Sequence, residues 1–215
     1  MTTKQTYVRD ELDELTDVLS ELSPEEWDGP SACDGFRVCD VAAHLALAHR
    51  PVEGRALVAM ARGTTTFSRF AGVHAVQVAN ETPPEQLLAE LRERVAHPRA
   101  GFFARIDRTD RMLADYATHL QDVRVGVNRR ASHDAERARA VLAAAVQLRG
   151  PVSWSTRERS KGLRLIASDV DWAHGEGAEV RGPYDGLLLA IGGRPAGLAL
   201  LEGEGVASLA TRMPG

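Results

Sequence analysis

The 215-residue chain is poor in cysteine and in aromatic side chains, with two Cys and 5% Phe, Trp and Tyr. Two cysteines are too few for a disulfide framework, and the spacing of Cys33 and Cys39 does not fit a Cys-x2-Cys redox or zinc motif. We therefore expect both to be plain buried thiols. The chain also has no apolar run of membrane-spanning length and no basic block. These features argue against a disulfide scaffold, an integral membrane protein and a nucleic-acid-binding protein.

The charge of the chain is modest, at -4, and its N-terminus is polar and acidic where a secretory signal would need an apolar segment. We therefore expect a cytoplasmic protein, a monomer or homodimer, that binds neither nucleic acid nor membranes. Its expected partner is a small molecule.

Periodic apolar residues predict a mainly helical chain. Residues 7–22 repeat apolar positions at intervals of three and four, and Ser23 begins a capping box. Residues 63–80 show no sustained period, so no regular structure is predicted there. Further helices are predicted over residues 38–60, interrupted by Pro51, and over residues 82–95, 109–123 and 134–148.

After Gly150-Pro151, which is a helix stop signal, the sequence changes from long helical patterns to short apolar runs with frequent glycine. Residues 163–167 and 198–201 are predicted to be strands, and residues 183–190 a short helix. We therefore expect two domains, a helical one over residues 1–150 and a small α+β one over residues 151–215.

Three residues have the spacing of a metal site. Asp115 and His119 are four residues apart, so they lie on the same face of a predicted helix, and a second helix carries His44. Two imidazoles and a carboxylate form a common ligand set for a catalytic divalent metal, because the fourth position stays open to water, thiol or substrate. Asp40 and Asp122, close to the two histidines, are candidates to hold the second imidazole nitrogens. The prediction is an enzyme.

Several segments carry a family resemblance. Residues 22–27 (LSPEEW), 31–36 (SACDGF), 40–46 (DVAAHLA) and 119–124 (HLQDVR) resemble the signatures of the mycothiol-dependent maleylpyruvate isomerase family, within the DinB-like metalloenzymes. Residues 179–194, which include EVRGP and LLLA, are similar to the sterol-carrier-like C-terminal domain of that family.

The resemblance implies a DinB-like four-helix up-and-down bundle that holds one divalent metal, usually zinc, followed by a sterol-carrier-like domain. It implies that His44, Asp115 and His119 are the ligands. Asp115 departs from the family pattern, which has the longer glutamate. Either the helices approach more closely, or the metal shifts, or Asp115 binds through a water.

The resemblance also implies a reaction, with mycothiol as the thiol cofactor. The metal would favour an ionised thiol, which adds to an electron-poor alkene or similar small electrophile; later elimination leaves the double bond reconfigured. Anionic groups of cofactor or substrate need a guanidinium. We assign Arg194 first, as a catalytic residue, and Arg37 and Arg124 as cofactor-binding residues.

The residues leave other functions open. One is a thiol-independent metal-dependent hydrolase, lyase or cyclase in a biosynthetic pathway, and another is a non-catalytic binding protein on the same fold. The metal content of the purified protein and its consumption of thiol in the presence of an electrophile separate these functions from the favoured isomerase or S-transferase.

Overall fold

The computed structural model describes residues 2–47, 62, 67–96, 109–129, 133–148 and 156–214. Most of these residues are helical. The helices that precede the first strand are α1 (Thr3–Ser20), α2 (Pro24–Asp28), α3 (Val38–Leu47), α4 (Phe67–Glu81), α5 (Pro84–Ala96), α6 (Thr109–Gly126), α7 (Ala135–Gln147) and α8 (Thr156–Ser160).

The C-terminal part contains a small sheet and three short helices. The elements are β1 (Leu163–Ala167), β2 (Ala173–His174), β3 (Ala178–Gly182), α9 (Tyr184–Ile191), α10 (Pro195–Leu198) and α11 (Val206–Ala210). Strand β1 is central, antiparallel to β2 and parallel to β3, with Leu165 opposite His174 and Val180. The predicted mainly helical fold with a small α+β part is confirmed.

Four helices form a ring around the core of the N-terminal part. Helix α1 contacts α5 and α6, and α3 contacts the same two helices from the other side. The apolar stripe predicted for α1 faces this core, because Val8, Leu12, Leu15 and Leu19 are all buried. The ring sets α3 beside α6, which are the two helices that carry the candidate ligands.

The segment that precedes α3 is held tightly against the end of α6. A Cβ atom at Gly126 would lie 2.2 Å from the carbonyl oxygen of Pro30, so only glycine permits this approach. The amide of Ala32 donates to the carbonyl oxygen of Asp122. This attachment brings Cys33 and Phe36 beside the same part of α6.

Helix α9 joins the C-terminal part to the bundle, since it contacts α6 and α7 as well as β1 and β3. Seven of its eight residues are buried. The turn that follows α9 therefore lies close to α6, and it carries Arg194.

The structure corrects the prediction for residues 63–80, because residues from 67 onwards form α4. Ala75 and Val78 form its buried face, and α4 packs on α3. The buried face is narrow, and Val73 is exposed, so the usual apolar stripe of a surface helix is not visible in the sequence.

The predicted strand at residues 198–201 is wrong. Pro195 begins helix α10, and the chain continues in turns to Leu201. A Cβ atom at Gly197 would lie 2.5 Å from the amide nitrogen of Ala190, so α10 packs backbone to backbone on α9. Proline at the first helical position favours the start of a helix, and the glycine permits the close contact rather than the helix itself.

Some sequence predictions fall outside the described residues. They are the continuation of α3 to residue 60 with Pro51, and the domain boundary at residues 150 and 151. In the part of the chain that is described, no helix is both long and apolar enough to cross a membrane.

Candidate metal centre

His44, Asp115 and His119 converge between α3 and α6. Each offers one donor atom, and these atoms all lie within 4.8 Å of one another. The rings of His44 and His119 are edge to face at a centroid distance of 5.0 Å, and Nε2 of His119 lies 3.6 Å from Oδ1 of Asp115. The three residues predicted from the sequence to be ligands therefore lie together.

The donor set fits a divalent ion. Tetrahedral donors about 2.1 Å from one zinc ion are about 3.4 Å apart, so side-chain movements below about 1 Å would bring these three into range. The shorter side chain of Asp115 reaches the same point as the two imidazoles, since its carboxylate is close to Nε2 of His119.

The environment of His44 favours a neutral imidazole. Burial, and after it the neighbouring His119, lower its pKa from 6.5 to about 4. At neutral pH His44 therefore offers a lone pair, which is the form that binds metal.

Asp122 contacts the imidazole nitrogen of His119 that faces away from Asp115. Nδ1 of His119 lies 2.9 Å from Oδ2 of Asp122, and Asp122 is fully buried. Burial alone would raise the pKa of this carboxyl group, but the charge of Arg194 and hydrogen bonds from His119 and Arg194 outweigh burial and lower it. Asp122 is thus an ionised acceptor in the interior.

Arg194 reaches this carboxylate from the turn after α9. Its Nε lies 2.9 Å from Oδ1 of Asp122 and its Nη2 lies 2.7 Å from Oδ2. Nη1 donates to the carbonyl oxygen of Gly192 at 2.7 Å, and Nη2 also lies 3.6 Å from the sulfur of Cys33. The guanidinium predicted to be catalytic therefore contacts the acid that holds a candidate ligand.

Two further side chains border the centre, and the sequence interpretation did not place them there. Cys33 is partly buried beside Arg194, and burial raises the pKa of its thiol to about 11. The ring of Phe36 lies 6.5 Å from that of His44, between centroids. The sequence signal that could have placed them there is their position immediately before the helix that carries His44.

Arg37 lies at the start of α3 among carboxylates. Its guanidinium donates to Asp28, Asp40 and Asn80. Asp40 also accepts from the backbone amide of Arg37, which caps the helix. Asp40, a candidate partner for His44, thus pairs with Arg37.

Arg124 points from α6 towards α1, where it pairs with Glu14. Arg137 pairs with the same glutamate and with Glu11, so a group of buried and partly buried charges forms on this side of α6. The cofactor-binding roles assigned to Arg37 and Arg124 stay predictions, and the charge of each already has carboxylate partners.

The other described histidines lie outside the donor set. His74 stacks on Phe70, and His174 stacks on Trp172. His133 contacts Asp169 and the ring of Tyr184.

Comparisons with known proteins agree with this arrangement. The family model described as the mycothiol maleylpyruvate isomerase N-terminal domain matches residues 8–124, which include all three donors. No curated protein sequence matches the chain.

Two solved structures are similar in fold. They are the mycothiol-dependent maleylpyruvate isomerase and a histidine-to-alanine mutant of it. Each is 16% identical with a TM-score of 0.57, over 95% of this chain and 96% of that chain.

Proposed function

Because the chain belongs to the family of the mycothiol maleylpyruvate isomerase N-terminal domain, we propose that it is a divalent-metal-dependent enzyme that uses a low-molecular-weight thiol. The thiol is mycothiol, and the reaction is isomerisation of a small electrophilic substrate or transfer of the thiol sulfur to it. Zinc is the proposed metal. The proposed location is the cytoplasm.

The observation that carries the proposal is the convergence of His44, Asp115 and His119 within 4.8 Å. The two imidazoles come from different helices, and the carboxylate lies one turn from His119. Three protein donors leave an open position, which is typical of catalytic rather than structural zinc sites. All three donors lie in the segment that the family model matches.

A divalent ion held by these residues would supply Lewis acidity and would lower the pKa of a thiol at the open position. His44 and His119 contribute neutral donors, and Asp115 contributes one negative charge. Asp122 keeps the proton of His119 on Nδ1. Phe36 provides an apolar wall beside His44, which would limit water near an electron-poor carbon.

A thiol-independent metal hydrolase, lyase or cyclase is the second candidate. The observation that favours it is the pairing of Arg37 and Arg124 with carboxylates, because both guanidinium groups were predicted to hold the thiol cofactor. Under this function the open position would take water or the substrate itself.

The test begins with the metal content of the purified protein, followed by assays on the zinc-loaded form. We expect about one divalent ion per chain, and mycothiol-dependent conversion of maleylpyruvate or another electron-poor alkene. Omission of mycothiol is the matched control. Full turnover without thiol would support the second candidate, and a protein that binds no divalent ion would refute both.

A further inference from the structure

A continuous line of hydrogen bonds runs from the C-terminal part of the chain to a candidate metal ligand. We infer that Arg194 and Asp122 are positioning residues, through which the C-terminal part controls how tightly His119 holds a divalent ion. The inference rests on the proposed metal-dependent function, and it concerns residues that do not themselves bind the metal.

The first step is the contact between Arg194 and Asp122. An arginine side chain can only donate hydrogen bonds, so both oxygens of Asp122 accept from it, at 2.9 and 2.7 Å. The third guanidinium nitrogen, Nη1, donates to the carbonyl oxygen of Gly192. Arg194 is 9% exposed and Asp122 is 0% exposed, so neither side chain can rotate away without breaking buried contacts.

The second step is the contact between Asp122 and His119. A carboxylate whose two oxygens both accept from a guanidinium is ionised and has no proton to donate. Nδ1 of His119, which lies 2.9 Å from Oδ2 of Asp122, is therefore the donor. The proton of a neutral His119 then lies on Nδ1, and the lone pair lies on Nε2, which is the nitrogen 3.6 Å from Asp115. The opposite tautomer would place a proton where an ion must bind. Asp122 therefore selects the binding-competent tautomer and the ring orientation together.

The third step is the origin of Arg194. Arg194 follows Gly193, whose φ of 85° is accessible to glycine at little cost. The backbone amide of Arg194 donates to the carbonyl oxygen of Leu189. The turn after α9 thus aims the guanidinium at α6. Arg37 and Arg124 do not replace it, since both pair with other carboxylates.

A substrate-binding role for Arg194 makes a different prediction. If its guanidinium held the substrate directly, its replacement would raise KM and leave metal affinity unchanged. A positioning role predicts weaker metal binding in the absence of any substrate, and a lower kcat at saturating metal because the ligand is misaligned.

The experiment titrates the metal-free protein with Co²⁺ and with Zn²⁺ against a chromophoric chelator. The variants are Asp122→Asn, Arg194→Lys and Arg194→Met. Asp122→Asn keeps the size of the side chain, but its amide can donate to Nδ1 and so move the proton to Nε2. Arg194→Lys keeps the charge and one donor, while Arg194→Met keeps only the apolar bulk.

The control is Arg137→Met, which also removes a partly buried arginine that pairs with carboxylates, in this case Glu11 and Glu14. It should lower stability and leave metal affinity unchanged. Circular dichroism of each variant reports whether it folds. If Arg194→Met does not fold, the isosteric Asp122→Asn still tests the inference.

We expect Asp122→Asn and Arg194→Met to weaken ion binding by about 10- to 100-fold and Arg194→Lys by less. The visible bands of bound Co²⁺ should shift in the same order. Unchanged affinity in folded Asp122→Asn and Arg194→Lys would overturn the inference, as would an equal loss in Arg137→Met. If the wild-type protein binds neither ion, the proposed function itself fails; if it binds an ion through His119 with no effect of Asp122 or Arg194, only the inference fails.

Discussion

The two imidazoles of the candidate centre come from different helices, and each has a neighbour that favours its neutral form or a fixed tautomer. Burial lowers the pKa of His44, and Asp122 accepts from Nδ1 of His119. An apolar residue would fill the helical core without the free-energy cost of burying an imidazole. At the scale of single residues, the burial of two imidazoles despite this cost is the main reason to expect that they are ligands.

Replacement of either histidine should remove the ion. His44→Ala and His119→Ala each delete one of three protein donors, so we expect less than about one tenth of the wild-type metal content after dialysis. The measurement is the metal-to-protein ratio. As a matched control, His174→Ala removes an exposed histidine outside the donor set and should leave the ratio unchanged. A full ratio in either ligand variant would refute the assignment.

Asp115 allows a second test, because the family pattern has glutamate there. Asp115→Glu keeps the charge, and we expect metal affinity within about 10-fold of wild type, whereas Asp115→Asn should weaken it by more than that. Competition with a chelator measures both. Equal affinity in wild type and Asp115→Asn would show that the carboxylate charge is not used.

Cys33 should react slowly despite its place beside Arg194. Burial raises the pKa of its thiol to about 11, so only about 0.1% is thiolate at pH 8. In Cys39→Ser, which leaves Cys33 as the one thiol of the chain, iodoacetamide labelling of the folded protein should be far slower than in denaturant. Equal rates in the two states would contradict the raised pKa.

The residue-level predictions succeeded where the chemistry is local. His119 and Asp115 are one helical turn apart, so any helix brings them together. The position of Cys33 beside the centre depends on the approach of Pro30 to Gly126, which joins residues almost a hundred positions apart and has no periodic signal.

At the scale of elements, the long helices with a clear apolar stripe were predicted well. The helices α4, α8, α10 and α11 and the strands β2 and β3 were not predicted. Two of the missed helices, α4 and α10, are packed through small residues. Ala75 lies in the buried face of α4, and Gly197 lets α10 touch the backbone of α9. Packing of this kind depends on close approach rather than on a wide apolar face, so the hydrophobic pattern does not reveal it.

Gly197 provides the test of the contact between α9 and α10. A Cβ atom there would lie 2.5 Å from the amide nitrogen of Ala190 and 2.6 Å from the carbonyl oxygen of Gly186. Gly197→Ala should therefore lower the free energy of unfolding by about 1–3 kcal/mol. Urea denaturation measures it.

The control is Gly72→Ala in α4, where the nearest atom to the new Cβ is 3.5 Å away. This change should be neutral or stabilise the protein by about 0.5–1 kcal/mol, because alanine favours a helix interior. A Gly197→Ala protein as stable as Gly72→Ala would contradict the close packing.

At the scale of the whole molecule, a second buried polar group joins the bundle to the C-terminal part. Glu11 of α1 pairs with Arg137 of α7, and Tyr184 at the start of α9 lies close enough for the charges of both to act on its pKa. Burial raises the pKa of Glu11 to about 7, and the attraction of Arg137 only partly offsets this.

This shift predicts a pH dependence of stability. The folded-state pKa of Glu11, about 7, lies above its ordinary value of 4.5, so the folded protein binds the extra proton more tightly between these limits. The contribution of protonated Glu11 to the free energy of unfolding is therefore fully present below pH 4.5 and is lost as the pH rises through 7. Relative to Glu11→Gln, the wild type should lose about 3 kcal/mol of unfolding free energy between pH 4.5 and 8.

Urea denaturation of both proteins across this pH range is the measurement. The comparison with Glu11→Gln cancels the titration of the other carboxylates. A difference between wild type and variant that stays constant with pH would contradict the raised pKa.

The sequence by itself determined the mainly helical class with a small α+β part, the strand β1, the family resemblance and the pairing of Asp115 with His119, because these depend on patterns within one helix, strand or motif. The resemblance also implied His44 as the third ligand. Only the tertiary structure decided how closely His44 approaches the other two donors, that Arg194 contacts Asp122 across 72 positions of the chain, and that Arg37 and Arg124 pair with carboxylates. The partner of a buried charge is the nearest opposite charge in space, and the packing of helices from distant parts of the chain decides which charge that is.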